Sequence, residues 1–185
     1  MALKIEKTFQ VQEPVDKVWD FLRDPRKVAT CVPGAQITEQ VDENTYHGTI
    51  SVKVGPSTTN YKGDVQILRL DAQNHEIEIL GKGQDVRGRG SASMKMTGKL
   101  SALATGGTEV TSISEVSVVG ILAQMGSRVI TEVSNIMFDS FTKNFQERLQ
   151  ASDVPGDPAQ VDELKPINAT SLAWQAAKGL FRGGS

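Results

Sequence analysis

The chain has few of the residues on which catalysis and metal binding usually depend. Its 185 residues include one cysteine, Cys31, and two histidines, His47 and His75. A lone cysteine forms no internal disulfide, which is typical of a reducing compartment. Because no HxxH, HExxH or CxxC spacing occurs, the sequence predicts no metal site. It also contains no GxSxG motif and suggests no Cys–His pair, so we expect no catalytic residues.

Long apolar runs and a strong net charge are also missing. No stretch approaches the roughly 20 apolar residues that span a bilayer, and the N-terminus MALKIEKTFQVQEP lacks the apolar centre of a signal peptide. The formal net charge of −2 provides no general field for nucleic acid or another polyanion. We therefore expect a cytoplasmic protein that binds no nucleic acid.

Composition divides the chain into three zones. Residues 1–150 are patterned like one folded domain. Residues 151–168 contain three prolines and four acidic side chains but few large apolar groups, which predicts an extended, disordered linker. Residues 169–185 are apolar again and carry two basic side chains, so they form a separate tail.

The first zone predicts an antiparallel sheet followed by one long helix. Residues 3–11 alternate in hydropathy, and Pro14 and Pro25 bound a short helix that precedes a second helical or turn segment. Further extended segments are predicted at residues 45–54, 61–70, 76–80, 91–100 and 109–118. Apolar residues then recur every fourth position over residues 121–150, which predicts a helix about 45 Å long across the sheet.

A curved sheet against such a helix leaves a gap suited to an apolar ligand. Small side chains at Ser112 and Ser114 face the helix in this arrangement, and methionine adapts its shape to a bound molecule at low strain. The alternative is that the methionines simply fill a core. The predicted ligand-binding residues are Tyr46, Tyr61, Met94, Met96, Met125, Val129, Val133, Met137 and Phe141.

Two glycine-rich segments have the composition of phosphate-binding loops but not the context. Neither Gly81-Lys82-Gly83 nor Arg87-Gly88-Arg89-Gly90 opens a helix after a strand. We interpret the glycines as positions where neighbouring strands bend and the arginines as rim residues. Contact between this rim and an anionic partner is the alternative.

Several motifs in residues 1–150 resemble the carbon monoxide dehydrogenase G-subunit (CoxG) family. They are VWDFLRDP at residues 18–25, Cys31-Val32-Pro33-Gly34, Tyr46, Gly55-Pro56, the Tyr61-x-Gly63 step, residues 83–90 and the helix start at residues 120–130. The resemblance implies an α+β helix-grip fold of the START and Bet v 1-like SRPBCC superfamily. In this fold a curved antiparallel sheet wraps around a long C-terminal helix, and two short helices follow the first strand.

The same resemblance implies a function and partners. Family members accompany molybdenum-containing carbon monoxide dehydrogenases or related hydroxylases and help these enzymes meet the membrane. The implied ligand is a respiratory quinone, menaquinone or ubiquinone, and no covalent cofactor is expected. The Cys31-Val32-Pro33-Gly34 turn is characteristic of the family, and we interpret it as a rigid turn before the next strand.

The tail predicts an interfacial membrane helix. Taken as a helix, residues 169–182 place Lys178 and Arg182 on a narrow polar stripe, and their length of about 21 Å is too short to span a bilayer. Ordering the helix offsets much of the gross burial gain of about 6–10 kcal/mol, so attachment to the inner leaflet is weak and reversible. The tail could instead dock on its own domain or on a protein partner. The predicted membrane-binding residues are Leu172, Trp174, Leu180, Phe181, Lys178 and Arg182.

Two other functions stay open from the residues alone. One is a recruitment adaptor that grips the dehydrogenase and the membrane but has a filled core and no ligand. The other is a cyclase or hydrolase, which needs inward-facing acids or a buried histidine. The sequence offers no convincing candidates for those catalytic groups.

Overall fold

A computed structural model describes residues 1–151 as one antiparallel sheet with a long helix packed against it. The strands are β1 (Ala2–Val11), β2 (Ala35–Gln40), β3 (Thr45–Val54), β4 (Ser57–Asp71), β5 (Glu76–Asp85), β6 (Gly90–Ala102) and β7 (Thr108–Gly120). The helices are α1 (Val15–Leu22), α2 (Pro25–Ala29) and α3 (Ser127–Ala151), with a 3₁₀ turn at Ala123–Met125. The predicted order of a strand, two short helices, further strands and a terminal helix is confirmed.

The seven strands form one sheet in the order β1-β7-β6-β5-β4-β3-β2. Every neighbouring pair is antiparallel, and β1 lies at one edge because it pairs with the last strand. Alternate residues of each strand face α3, as the pleat requires. The first and last strands are therefore neighbours although about a hundred residues of chain separate them.

Local chemistry accounts for the two short helices. Pro14 precedes α1 in an extended conformation, and Pro25 occupies the first turn of α2. The Asp24 carboxylate accepts a hydrogen bond from the Arg26 backbone N–H at 3.0 Å, which satisfies a donor that the helix leaves free. These caps fix the two helices between β1 and β2.

A row of glycines lets the sheet curve. Gly48 pairs with Gly63, and Gly63 pairs with Gly83 across three adjacent strands. A Cβ atom on Gly63 would lie 1.8 Å from the Lys82 carbonyl oxygen, so no other residue fits there without moving the backbone. The interpretation of Gly83 as a position where neighbouring strands bend agrees with this packing.

The predicted start of the long helix is wrong by six residues. Residues 121–126 form a 3₁₀ turn and a bend, and α3 begins at Ser127. Gly126 has a φ of 87°, a conformation through which an α-helix cannot continue. The four-residue spacing of Ile121 and Met125 therefore continues the pattern of α3 without continuing its backbone. The 25 residues of α3 measure about 37 Å.

Two strands differ from the sequence prediction. β2 was not predicted, because Ile37 is its one large apolar residue and its pairing with β3 supplies the hydrogen bonds. β5 was predicted to end at residue 80, yet it continues through Gly81 and Gly83 to Asp85. Hydrogen bonds from both neighbouring strands hold the glycines in the sheet despite their low strand propensity.

The predicted linker and tail at residues 151–168 and 169–185 lie outside the described residues, except for Ala151 at the end of α3. Within residues 1–151, none of the helices combines the length and the apolar character needed to cross a membrane.

Candidate functional site

The core between α3 and the sheet consists of two separate clusters. The first lies at the C-terminal end of α3 and includes Phe145 and Leu149 together with Trp19, Tyr46 and Val110. The second lies at the N-terminal end of α3 and contains Val54, Tyr61, Val118, Leu122 and Ile130. The helix is therefore anchored to the sheet at both of its ends.

Aromatic rings dominate the first cluster. Phe145 stacks on Phe141 with ring centroids 5.7 Å apart and meets Phe21 of α1 and Phe9 of β1 edge-on, at 5.2 Å and 6.0 Å. Edge-to-face and offset contacts of this kind add to the gain from apolar burial. The cluster thus ties β1, α1 and α3 into one unit.

Between the clusters, inward-facing side chains are incompletely covered. Met94 lies on the same face of β6 as buried Leu100, yet it is 37% exposed. Met137 of α3 is half-buried, and neither methionine belongs to a cluster. We call this region the central gap. Its inward-facing members are Ile5, Lys7, Met94, Ser112, Ser114 and Met137.

The central gap contains a lysine that the sequence analysis missed. Lys7 points to the helix side of β1, where its Nζ donates to the Asn135 Oδ1 of α3 at 2.5 Å. The same ammonium lies 5.4 Å from the centre of the Phe138 ring. The signal was present in the sequence, because Lys7 interrupts the apolar series at positions 3, 5, 9 and 11. A cation is therefore available inside a mainly apolar site.

Tyr61 presents an unusual polar group in the second cluster. Its side chain is 4% exposed, and its hydroxyl is buried without a hydrogen-bond partner. Burial, and then the neighbouring Asp85 carboxylate, raise the pKa of Tyr61 above its ordinary value. The hydroxyl therefore stays protonated and is a hydrogen-bond donor at neutral pH.

An ion pair closes the β5–β6 turn beside Tyr61. Arg89 Nε lies 2.8 Å from Asp85 Oδ2, and the Arg89 backbone N–H donates to the same oxygen at 2.9 Å. These hydrogen bonds from Arg89 lower the pKa of the enclosed Asp85 carboxyl. Arg89 is thus a structural partner of a buried acid, whereas exposed Arg87 remains on the predicted rim.

The Cys31-Val32-Pro33-Gly34 turn has a packing role. The Cys31 thiol is fully buried in the first cluster, and burial raises its pKa, so it remains an unreactive thiol. The Cys31 carbonyl accepts a hydrogen bond from Asn144 of α3 at 3.1 Å. Gly34 has a φ of 77°, and a Cβ there would lie 2.4 Å from the Ser51 carbonyl oxygen. The turn therefore connects α3 with β3.

The nine predicted ligand-binding residues divide among three places. Tyr46, Met96 and Phe141 belong to or pack against the first cluster. Tyr61, Met125, Val129 and Val133 belong to or pack against the second cluster. Only Met94 and Met137 lie in the central gap, so the structure separates Tyr46 from Tyr61. Ligand binding by these residues stays a prediction.

A cleft of about 130 Å³ opens at the C-terminal end of α3, away from the central gap. Its lining comes from residues 10–13 and from Gln146, Leu149 and Gln150. Sites for drug-sized ligands usually enclose about 300–1,000 Å³, so this cleft is too small for such a ligand.

Both histidines have structural partners. His47 lies on the outer face of β3, as predicted, and pairs with Asp64 of β4. His75 lies in the turn before β5 and contacts the Trp19 ring edge-on at 5.4 Å. In residues 1–151 no three His, Cys, Asp or Glu side chains are grouped to bind a metal. The predicted membrane-binding residues lie outside the described part of the chain.

A model of the carbon monoxide dehydrogenase G-subunit family, CoxG, matches residues 8–150. The chain belongs to this family. Comparison with curated proteins finds no similar sequence. The family match covers every strand at least in part, both core clusters and all the predicted ligand-binding residues of this CoxG homologue.

Solved structures show the same fold at low sequence identity. A conserved protein from Geobacillus kaustophilus has a TM-score of 0.73 and 20% identity, with 81% of this chain and 97% of that chain covered. For an aromatase/cyclase from Streptomyces the values are 0.62, 13%, 86% and 100%. For a START superfamily protein from Mycobacterium smegmatis they are 0.57, 10%, 80% and 98%. The helix-grip fold of the START and Bet v 1-like superfamily is therefore confirmed.

Proposed function

We propose that this CoxG homologue is a non-catalytic accessory protein of a carbon monoxide dehydrogenase that holds a hydrophobic ligand between α3 and the sheet. The supporting observation is the central gap, where Met94 and Met137 face inward but neither belongs to a core cluster. A ligand that entered the gap would cover these side chains, and methionine would adapt to its shape. The family description supports the choice of enzyme.

The proposed ligand is a respiratory quinone, menaquinone or ubiquinone. A quinone combines an apolar ring and tail with two carbonyl oxygens, and the central gap combines apolar side chains with the Lys7 ammonium. A quinone also accepts the electrons that a carbon monoxide dehydrogenase releases. This protein would therefore link a molybdenum-containing dehydrogenase, or a related hydroxylase, to respiratory electron transport.

Ligand extraction tests this proposal directly. We expect native mass spectrometry of the full chain, purified without detergent, to show a bound species with the mass of an isoprenoid quinone. Organic extraction should release the same species, and protein emptied in this way should bind added quinone. Protein that releases no lipid or quinone and binds none on addition would contradict ligand carriage.

Membrane attachment through residues 169–185 is a separate part of the proposal. It rests on the sequence pattern, in which Leu172, Trp174, Leu180 and Phe181 oppose Lys178 and Arg182. We expect the full chain to float with liposomes that contain anionic lipid, whereas a chain ending at residue 168 stays in the soluble fraction. Attachment of the full chain should weaken at high salt because Lys178 and Arg182 contribute about 1 kcal/mol each at an anionic surface.

Two controls separate the possible roles of the tail. Replacing both Lys178 and Arg182 by glutamine should reduce flotation and its dependence on salt while leaving the apolar face intact. Equal flotation of the full chain and the truncated chain would rule out the tail as the membrane contact. Binding of only the full chain to the dehydrogenase, without flotation, would assign the tail to a protein partner instead.

A further inference from the structure

The Tyr61 hydroxyl is a buried donor without an acceptor. It is the one fully buried side-chain nitrogen or oxygen among residues 1–151 that lacks a partner. A hydroxyl in this position loses its hydrogen bonds to water without replacing them, which native structures seldom retain without a reason. The missing acceptor therefore needs an explanation.

The protein around Tyr61 leaves this donor unsatisfied. Asp85 is the residue opposite Tyr61 in the β4–β5 pairing, but Arg89 engages both of its carboxylate oxygens. The other buried members of the second cluster are aliphatic: Val54, Val118, Leu122 and Ile130. The hydroxyl thus lies in apolar surroundings beside a carboxylate that is already occupied.

The second cluster is continuous with the central gap. Val116 packs against the cluster and is the residue opposite Met94 in the β6–β7 pairing. Val133 also packs against the cluster and lies one helical turn before Met137. A ligand in the gap therefore borders the side chains that cover Tyr61. Met125, a flexible side chain at the edge of the cluster, can move at low strain to admit a polar group.

We propose that the Tyr61 hydroxyl donates a hydrogen bond to a carbonyl or similar acceptor oxygen at the polar end of the ligand. The inference rests on the proposed function and adds an orientation to it. The polar end lies at the second cluster, and the apolar tail runs through the central gap past Met137. The site then selects a carbonyl-bearing ligand over a hydrocarbon of the same shape.

Lys7 is the other polar group that a ligand oxygen could approach. Its ammonium already donates to Asn135, and because it is half-buried its remaining hydrogens reach water. An oxygen at Lys7 would exchange one good partner for another, whereas an oxygen at Tyr61 would satisfy a donor that has none. This difference favours Tyr61 as the contact for the polar end.

A pair of probes tests the assignment in the full chain. Equilibrium dialysis would measure binding of 2,3-dimethyl-1,4-naphthoquinone and of 2,3-dimethylnaphthalene, which has the same ring system without the carbonyl oxygens. We expect Tyr61→Phe to weaken binding of the quinone about tenfold, the effect of one hydrogen bond, and to leave hydrocarbon binding within about twofold. The melting temperature of the ligand-free variant should not fall, because the substitution removes an unsatisfied group.

Tyr46→Phe is the matched control. Tyr46 is equally buried but lies in the first cluster, and its hydroxyl has a partner in Gln40 Nε2 at 3.4 Å. This variant should bind both probes like the unmodified protein. Unchanged quinone binding by Tyr61→Phe, or equal weakening of both probes, would overturn the Tyr61 assignment while ligand binding stands. Failure of the unmodified protein to bind either probe would defeat the proposed function and this inference together.

Discussion

Phe145→Ala is expected to lower the free energy of unfolding of the folded domain by about 3–5 kcal/mol. Phe145 has no exposed surface and contacts the rings of Phe9, Phe21 and Phe141. Truncation leaves a cavity that these rings cannot fill, since each is held by a different element or a different turn of α3. Because whole domains are stable by only about 5–15 kcal/mol, the loss is large. Urea unfolding followed by far-UV circular dichroism measures it.

Ile136→Ala on the same helix is the control for Phe145→Ala. Ile136 is 54% exposed, so its truncation should change the free energy of unfolding by no more than about 0.5 kcal/mol. Both substitutions shorten an apolar side chain within α3, and both leave alanine, which favours helix. Equal losses in the two variants would mean that the aromatic cluster does not anchor the helix.

Met137→Trp is expected to reduce quinone binding at least about a hundredfold while the domain stays folded. Met137 is half-buried in the central gap and belongs to neither cluster, so an indole ring there occupies space that the ligand would need. Steric exclusion removes most of the apolar contact on which ligand affinity depends. Quinone titration and urea unfolding of the same preparation separate the two effects.

The same substitution distinguishes a carrier from an adaptor with a filled core. Overpacking a filled core costs about 1–3 kcal/mol, and an adaptor has no ligand to lose. Val133→Trp is the matched control, because Val133 lies one turn away on the same face of α3 but packs against the second cluster. It should destabilise the domain more than Met137→Trp does. Equal destabilisation by the two variants, without any change in quinone binding, would favour the adaptor.

The sequence by itself determined the order of elements and the face that each one buries. Strict alternation placed Tyr46 and Val54 of β3 and Val110 and Val118 of β7 on the buried face, as the structure confirms. The four-residue spacing from Val129 to Leu149 likewise identified the side of α3 that meets the sheet. These features depend only on the periods of strand and helix, which a sequence displays directly. The family motifs, which the comparisons confirm, indicated how the elements assemble.

The tertiary structure decided which buried residues are neighbours. Tyr46 and Tyr61 were predicted to share one site, but they belong to different clusters because the register of each hairpin sets a residue's position along the sheet. The Lys7–Asn135 bond joins residues 128 positions apart, and the conformation of Gly126 moved the start of α3. Hydropathy patterns specify faces but not register or long-range contacts. The unpaired Tyr61 hydroxyl became visible only when every surrounding acceptor had been placed.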